Sequence, residues 1–348
     1  MAPTTTKQWT LHGTNGFDSL KFDEKASIPQ LGDKDVLVKI HAASLNYRDL
    51  IIPKGKYPFA VTDGVVPGSD GAGTVEAVGA HVTRFKPGDN VVTLFNQGHL
   101  AGSPTPATIV TGLGGALDGT LREYAKFDEQ GLVTAPSNLN MMEASSLSCA
   151  AVTAWNALYG LEGKSLKPGH TVLTQGTGGV SIFALQFAKA AGARVIATTS
   201  SAKKAELLKK YGADHVINYK ETPNWGEEAK KLSAGQAGVE FVIEVGGPTT
   251  MTQSLKAIKL DGVIGIIGFI GGFSKDQPTF LDCLNNLCTV RGIFVGSRLQ
   301  FEDMNRAIEG NDIHPIMDEK VFDLADLKEA YQYMWDQKHF GKLCVKVA

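Results

Sequence analysis

Cysteine is scarce and scattered: four in 348 residues, Cys149, Cys283, Cys288 and Cys344, with no C-x-x-C pair among them. That spacing spells neither a disulfide framework nor a thiolate metal cage, and it reads as reduced thiols in a cytoplasmic protein. No apolar run approaches the roughly 20 residues that cross a bilayer, so no membrane partner is expected. The opening stretch MAPTTTKQWTLHG lacks the apolar core of a secretory leader, which argues against secretion. Charge of one sign is also missing. The net value is −2 at pH 7 and no basic tract stands out, so nucleic acid is not an expected partner. There is no internal repeat and no low-complexity tract. What remains is ordinary for a soluble enzyme, 43% apolar and 20% charged, in a chain long enough for two domains.

The first part of the chain is punctuated by Gly, Pro and Asp. DVLVKIHAA (35–43), GAGTVEAVGA (71–80) and DNVVTLF (89–95) lie between those breaks and read as short strands of a twisted, antiparallel or barrel-like unit. Residues 96–118 are rich in Gly, Thr and Pro. A connection that long is either functional or a mobile surface loop. From residue 143 the pattern changes. A helix rich in small residues comes first, and then strands and helices alternate at short intervals. In GGVSIFALQFAKAAG, the residues Val180, Phe183, Ala184, Phe187 and Ala191 share one helical face. Such alternation implies parallel strands joined by crossover helices, an α/β fold of the doubly wound, Rossmann kind. The tail KLCVKVA is a strand expected to return to the first domain. The expected division is 1–142 with 300–348 as a mostly β domain, and 143–299 as a dinucleotide-binding domain.

The most specific motif is VLTQGTGGVSIFALQFAKAAGARVIATTSS, a glycine turn set between a strand and a helix. Gly176 permits a tight turn, and Gly178 lets backbone N–H groups approach a pyrophosphate. The helix that follows offers unpaired N–H donors and the positive end of its dipole. Gly176, Thr177, Gly178, Gly179 and Val180 are therefore expected at the cofactor. Ser181 stands where a third glycine is usual. An NAD site usually carries an acid about 20 residues on, bonded to the ribose 2′-OH. This chain has ATTSSAKK there, with no acid. The Ser200 and Ser201 hydroxyls and the charge of Lys203 or Lys204 suit a 2′-phosphate, so NADP(H) is the expected cofactor. Lys204 is the favoured ligand, and Tyr219 is placed to close over the same phosphate.

Taken together, SLNYRD with KGKYP, PGSDGAGTVEAVG, FKPGDNV, the glycine loop and the closing HFGKLCVKV resemble the medium-chain dehydrogenase/reductases over nearly the whole chain. Within that superfamily the chain is similar to the zinc-independent quinone oxidoreductase and enoyl reductase branches. The resemblance implies a GroES-like catalytic domain beside the Rossmann domain. It places Asn46 where zinc alcohol dehydrogenases have a cysteine, and Ser69-Asp70 where they have a His-Glu pair. Only Cys149 keeps a ligand type. A catalytic zinc wants three protein ligands, so no metal is expected, and Cys149 is read as a small helix residue rather than a nucleophile. The family's structural zinc lobe falls in 96–118, which has no cysteine. The resemblance also puts Thr153, Val245, Gly246, Gly268, Phe269, Phe294 and Val295 around the nicotinamide, and it carries Lys342 to the cofactor phosphates. It further implies a homodimer that pairs through the last strands of the nucleotide domain.

Without a metal, hydrogen-bond donors must receive the charge that hydride addition creates. Asn46 and Tyr47 are the catalytic candidates. Arg48 and Asp49 read as an ion pair that locks the loop, and Asp70 as its anchor through Arg48. An enone spreads the new charge into an enolate, which is easier to stabilise than an alkoxide. The expected reaction is therefore NADPH-dependent reduction of an α,β-unsaturated carbonyl compound or a quinone. A metal-free reductase of ketones or aldehydes is the first alternative, and a non-catalytic NADPH-binding protein the second.

Overall fold

Short apolar runs bounded by Gly, Pro and Asp become strands throughout the first third of the chain. The computed structural model describes residues 4–348. Seven strands form before residue 135: β1 (Thr5–Leu11), β2 (Leu20–Ser27), β3 (Asp35–Leu45), β4 (Asp70–Val78), β5 (Asn90–Thr93), β6 (Tyr124–Asp128) and β7 (Leu132–Thr134). β1 and β2 pair with each other, and the rest join a larger sheet. That sheet is completed from the far end of the chain by β14 (Met317–Asp323) and β15 (Lys342–Lys346), in the order β14-β15-β3-β4-β5-β7, with β6 on β3. The tail therefore does return. β15 runs antiparallel to β3 with Leu343 opposite Leu45, and β3 runs antiparallel to β4 with Ser44 opposite Asp70. The ends of three interior strands and the short helix α1 (Tyr47–Ile51) are thereby gathered at one end of the sheet. Val36, Val38, Ile40, Leu45, Leu121 and Tyr331 belong to the core beneath it.

Residues 96–118 are not a free excursion. Thr105 caps a short helix, Pro106–Ile109, and Asn96 bridges to Gly112. Leu113 is buried, and Gly115 accepts the backbone N–H of Thr62.

The chain divides into two compact units. One comprises the chain up to Val152 with Ser297–Ala348, and the other is Thr153–Gly296. The second unit holds β8 (Thr171–Gln175), β9 (Arg194–Thr199), β10 (His215–Asn218), β11 (Val239–Glu244), β12 (Ile258–Ile266) and β13 (Thr289–Gly292). All pair in parallel, in the order β10-β9-β8-β11-β12-β13. Strand order reverses beside β8, and such switch points are where doubly wound sheets bind ligands. Helix α2 (Gly179–Ala190) follows β8. Its expected single buried face is too narrow: Ile182, Leu185 and Ala188 are buried as well, whereas Val180 and Ala191 are only half-buried. A helix apolar on most sides is covered on most sides. Helix α3 (Ala202–Lys210) follows β9. Within 271–287 the chain forms the short helix α4 (Leu281–Asn285), and Phe273 and Phe280, both ahead of its first residue, are 88% and 83% exposed. Among the described residues, no helix is long and apolar enough to cross a membrane.

Candidate active site

The backbone N–H of Asn46 donates to Asp49 Oδ2 at 2.8 Å, the reciprocal half of a capping box that starts α1. This cap sets the direction of the Asn46 side chain. Its Oδ1 accepts from Lys342 Nζ at 2.8 Å, while its Nδ2 is buried without a partner. The Lys342 ammonium also donates to Leu45 O at 3.0 Å and to Asp70 Oδ2 at 3.2 Å. Asp70 is fully buried, and Ser44 at 3.2 Å and Ser69 at 2.7 Å donate to its two oxygens. One expectation is corrected here. Asp70 is anchored by Lys342 and not by Arg48. Lys342 is 2% exposed inside this network, and its charge answers a buried carboxylate.

The donor set does not fit a catalytic zinc. Asn46 Oδ1 faces an ammonium, Ser69 Oγ is a donor to Asp70, and Asp70 is paired with Lys342. Burial pushes the Cys149 thiol far above its ordinary range, with Asp70 adding to the effect. Among the described residues, no group of three or more His, Cys, Asp or Glu is placed to hold a metal ion.

Tyr47 is half-buried. Its ring lies parallel to that of Trp335, 6.4 Å between centroids, and burial raises its hydroxyl above the usual value of 10. It is a neutral donor at physiological pH. Tyr57 is raised likewise by burial, with the nearby Arg48 guanidinium opposing the shift. The Arg48–Asp49 pair is looser than the sequence implies, 3.9 Å from Nη1 to Oδ1.

In the second unit the glycine turn is formed as expected. Gly176 takes φ 72°, in the left-handed region that glycine tolerates. No protein atom lies within 4 Å of where a Cβ on Gly178 would stand, so backbone can be approached there. Ser181, in the third-glycine position, donates to Gln175 O at 2.6 Å and ties α2 to the end of β8. Gly178 caps the 12-residue α2, whose first N–H groups serve an anion. These features fit a dinucleotide pyrophosphate.

Ser201 caps α3, its Oγ accepting the Lys204 N–H at 3.3 Å. Register pairs Asn218 with Thr199, and the Tyr219 N–H donates to Thr199 O at 3.0 Å. Ser200, Ser201, Lys204 and the 42%-exposed Tyr219 are thus brought to one end of β9 and β10. Val245, Gly246, Gly268 and Phe269 lie past the ends of β11 and β12. Val245 O accepts from Ile270 N at 3.1 Å. Thr153 is buried and Phe294 half-buried. Val295 is buried at φ 53°, a strained conformation for a β-branched residue. Its carbonyl accepts from Asn156 Nδ2 at 2.7 Å, and Arg291 holds Asn156 Oδ1 at 2.7 Å.

Sequence reasoning missed the residue that organises the switch point. Glu244 is fully buried. Its carboxylate accepts from Gln175 Nε2 at 2.7 Å, from the N–H groups of Gly246 and Gly247 at 2.9 Å each, and from the Thr250 and Ser254 hydroxyls. Gln175 Oε1 in turn accepts from Val245 N and Gly246 N. The signal was present: a lone acid closes the otherwise apolar run FVIE.

Residues 32–137 match the alcohol dehydrogenase GroES-like domain, and residues 179–310 match the zinc-binding dehydrogenase family. The chain is 50% identical to a zinc-type alcohol dehydrogenase-like protein of Schizosaccharomyces pombe over 336 residues, 96% of either chain. It is 31% identical to an acryloyl-coenzyme A reductase of Metallosphaera sedula, covering 90% of this chain and 93% of that one. Among solved structures, an alcohol dehydrogenase of Sinorhizobium meliloti superposes with a TM-score of 0.91 at 38% identity, covering 99% of this chain and 100% of that chain.

Proposed function

The chain belongs to the medium-chain dehydrogenase/reductase superfamily of oxidoreductases, and from that premise we propose that it is an NADPH-dependent ene reductase that works without zinc. Bound NADPH would supply the hydride. The chain's own task is to steady the oxygen on which negative charge develops. The observation that carries this reading is the Lys342 contact with Asn46 Oδ1, 2.8 Å long, which leaves the buried Nδ2 as a donor with no protein partner. A donor fixed before the reaction begins costs no reorganisation when charge appears. The Tyr47 hydroxyl, kept neutral, protonates the enolate directly or through water. Substrates of this class are enones, quinones and unsaturated thioesters. The relative named for reducing acryloyl-coenzyme A supports reduction of a C=C bond.

Ser200, Ser201, Lys204 and Tyr219, with no acid among them, support the 2′-phosphate of NADPH over the free hydroxyl of NADH. The glycine loop and the residues past β11, β12 and β13 would hold the pyrophosphate and nicotinamide.

A second reading, metal-free interconversion of alcohols and carbonyl compounds, is favoured by the relatives named as alcohol dehydrogenases. An enone assayed against its saturated ketone, with NADPH and NADH in parallel, separates the two. Turnover of the ketone alone defeats the ene reductase reading.

The chain is further proposed to form a homodimer. β13 ends the parallel sheet with one edge unpaired, and Ile270, Phe273, Phe280, Leu281, Leu284 and Leu287 stand exposed in the adjoining sequence. An apolar surface next to an open strand edge suits a second copy of the same chain. A monomer mass by light scattering at micromolar concentration would refute it.

A further inference from the structure

The proposed reaction leaves negative charge on a substrate oxygen, and Asn46 answers it only with a neutral dipole. The β unit also contains a buried cation with unused donors. The Arg48 side chain is 10% exposed, yet its Nε and Nη1 have no hydrogen-bond acceptor. Asp49 is not that acceptor. Its Oδ1 lies 3.9 Å from Nη1, too far for a hydrogen bond, and is itself without a donor. Its Oδ2 is occupied by the Asn46 N–H.

The guanidinium is held in place by other means. Its central carbon sits 4.9 Å from the ring centroid of Tyr57 and 4.8 Å from that of Phe95. The glycine-rich segment closes on it so tightly that a Cβ on Gly115 would fall 2.5 Å from Nη2. A Cβ on Gly112 would stand 3.7 Å from Nη2 and 3.4 Å from Asn96 Oδ1. Asn96 is 1% exposed, and neither its Oδ1 nor its Nδ2 is bonded. A buried cation and a buried amide thus flank the same glycine, each with unused polar atoms. Groups left so are costly to a fold and mark places where a ligand completes the bonding.

We propose that Arg48 is a catalytic residue: its unpartnered Nη1 donates to the enolate oxygen of an α,β-unsaturated carbonyl substrate, Asn96 lines the same site, and the guanidinium supplies the positive charge that a metal supplies elsewhere. The inference rests on the ene reductase reading. Hydride reaches the β-carbon with its electron pair. The C=C pair shifts toward the carbonyl, and the oxygen gains the negative charge. A proton added at the α-carbon then restores neutrality. The Nη1–H bond to that oxygen is charge-assisted, and the guanidinium stays charged throughout.

The test is steady-state reduction of an enone by NADPH in wild type, Arg48→Gln and Arg48→Lys, with NADPH affinity measured by fluorescence and folding by thermal melting. Arg48→Gln is expected to lose about 10²–10³ in kcat. Arg48→Lys loses less but does not recover wild-type turnover, and both bind NADPH as wild type does. Free guanidinium ion restores part of the turnover of Arg48→Ala. An Arg48→Gln enzyme within about threefold of wild type overturns the proposal. So does a loss matched by weaker NADPH binding or a collapsed melting curve in Arg48→Lys, because the side chain is then structural. Wild-type turnover judges the underlying reading separately. If only the saturated ketone is reduced, the enone reading fails, and the Arg48 variants are scored on the ketone.

Discussion

Lys342 Nζ lies 2.8 Å from Asn46 Oδ1, and that contact decides which end of the Asn46 amide can donate. An ammonium has only protons to offer. The amide oxygen must face it, and Nδ2 is left for another acceptor. Asn46→Asp keeps an oxygen toward Lys342 and removes the Nδ2 donor. The expected result is a melting temperature no lower than wild type with kcat for an enone reduced by about 10²-fold. Kinetics and thermal unfolding of the same preparation check it.

Lys342 is expected to carry stability as well. Lys342→Met would leave the fully buried Asp70 carboxylate without its cation. Breaking a buried pair in this way costs about 3–5 kcal/mol. Urea unfolding midpoints of wild type and variant measure it, and an unchanged midpoint would mean that the pair is dispensable.

Much of the fold was legible in the sequence because its signals are local. The glycine turn lies between an apolar strand and a small-residue helix, and the alternation that follows announces parallel strands. The tail was readable as a strand that returns to the first domain, but its pairing with β3 was not. The side-chain network was not. Nothing in GKLCV says that its lysine will meet Asp70 across two strand pairings, because that contact exists only after β15, β3 and β4 are in register. The burial of α2 on most sides was also hidden, since a single face satisfies the periodicity while the covering layers come from elsewhere in the chain. Arg48 read as an ion-pair partner because adjacency in sequence suggested it. The ion pair is there, at 3.9 Å, but the donors it leaves unused are set by packing and not by adjacency.

Cofactor preference has its own test. Ser200→Asp puts a carboxylate at the end of β9, where the 2′-phosphate is proposed to sit. Repulsion should raise the KM for NADPH about tenfold or more, and the new acceptor for a ribose hydroxyl should lower the KM for NADH. The ratio of kcat/KM for the two cofactors reports the switch. An unchanged ratio would place the phosphate elsewhere.

Asp49 predicts a pH effect on stability. Burial raises its carboxyl from 3.8 to about 6, against the pull of Arg48. Between those values the folded chain binds more protons there than the unfolded chain does. Stability therefore falls as pH rises through that window. Asp49→Asn removes the difference. Urea midpoints at pH 4 and pH 7 should show a smaller drop in the variant than in wild type, and an equal drop would assign the titration to another group.

The central claim is that fixed side-chain donors, with no metal cation, take up the charge on the substrate oxygen. The most direct measurement is NADPH-dependent enone turnover before and after exhaustive chelation, with the zinc content of both samples determined. The account predicts substoichiometric zinc and the same turnover in each. Loss of turnover on chelation, recovered when zinc is added back, would contradict it.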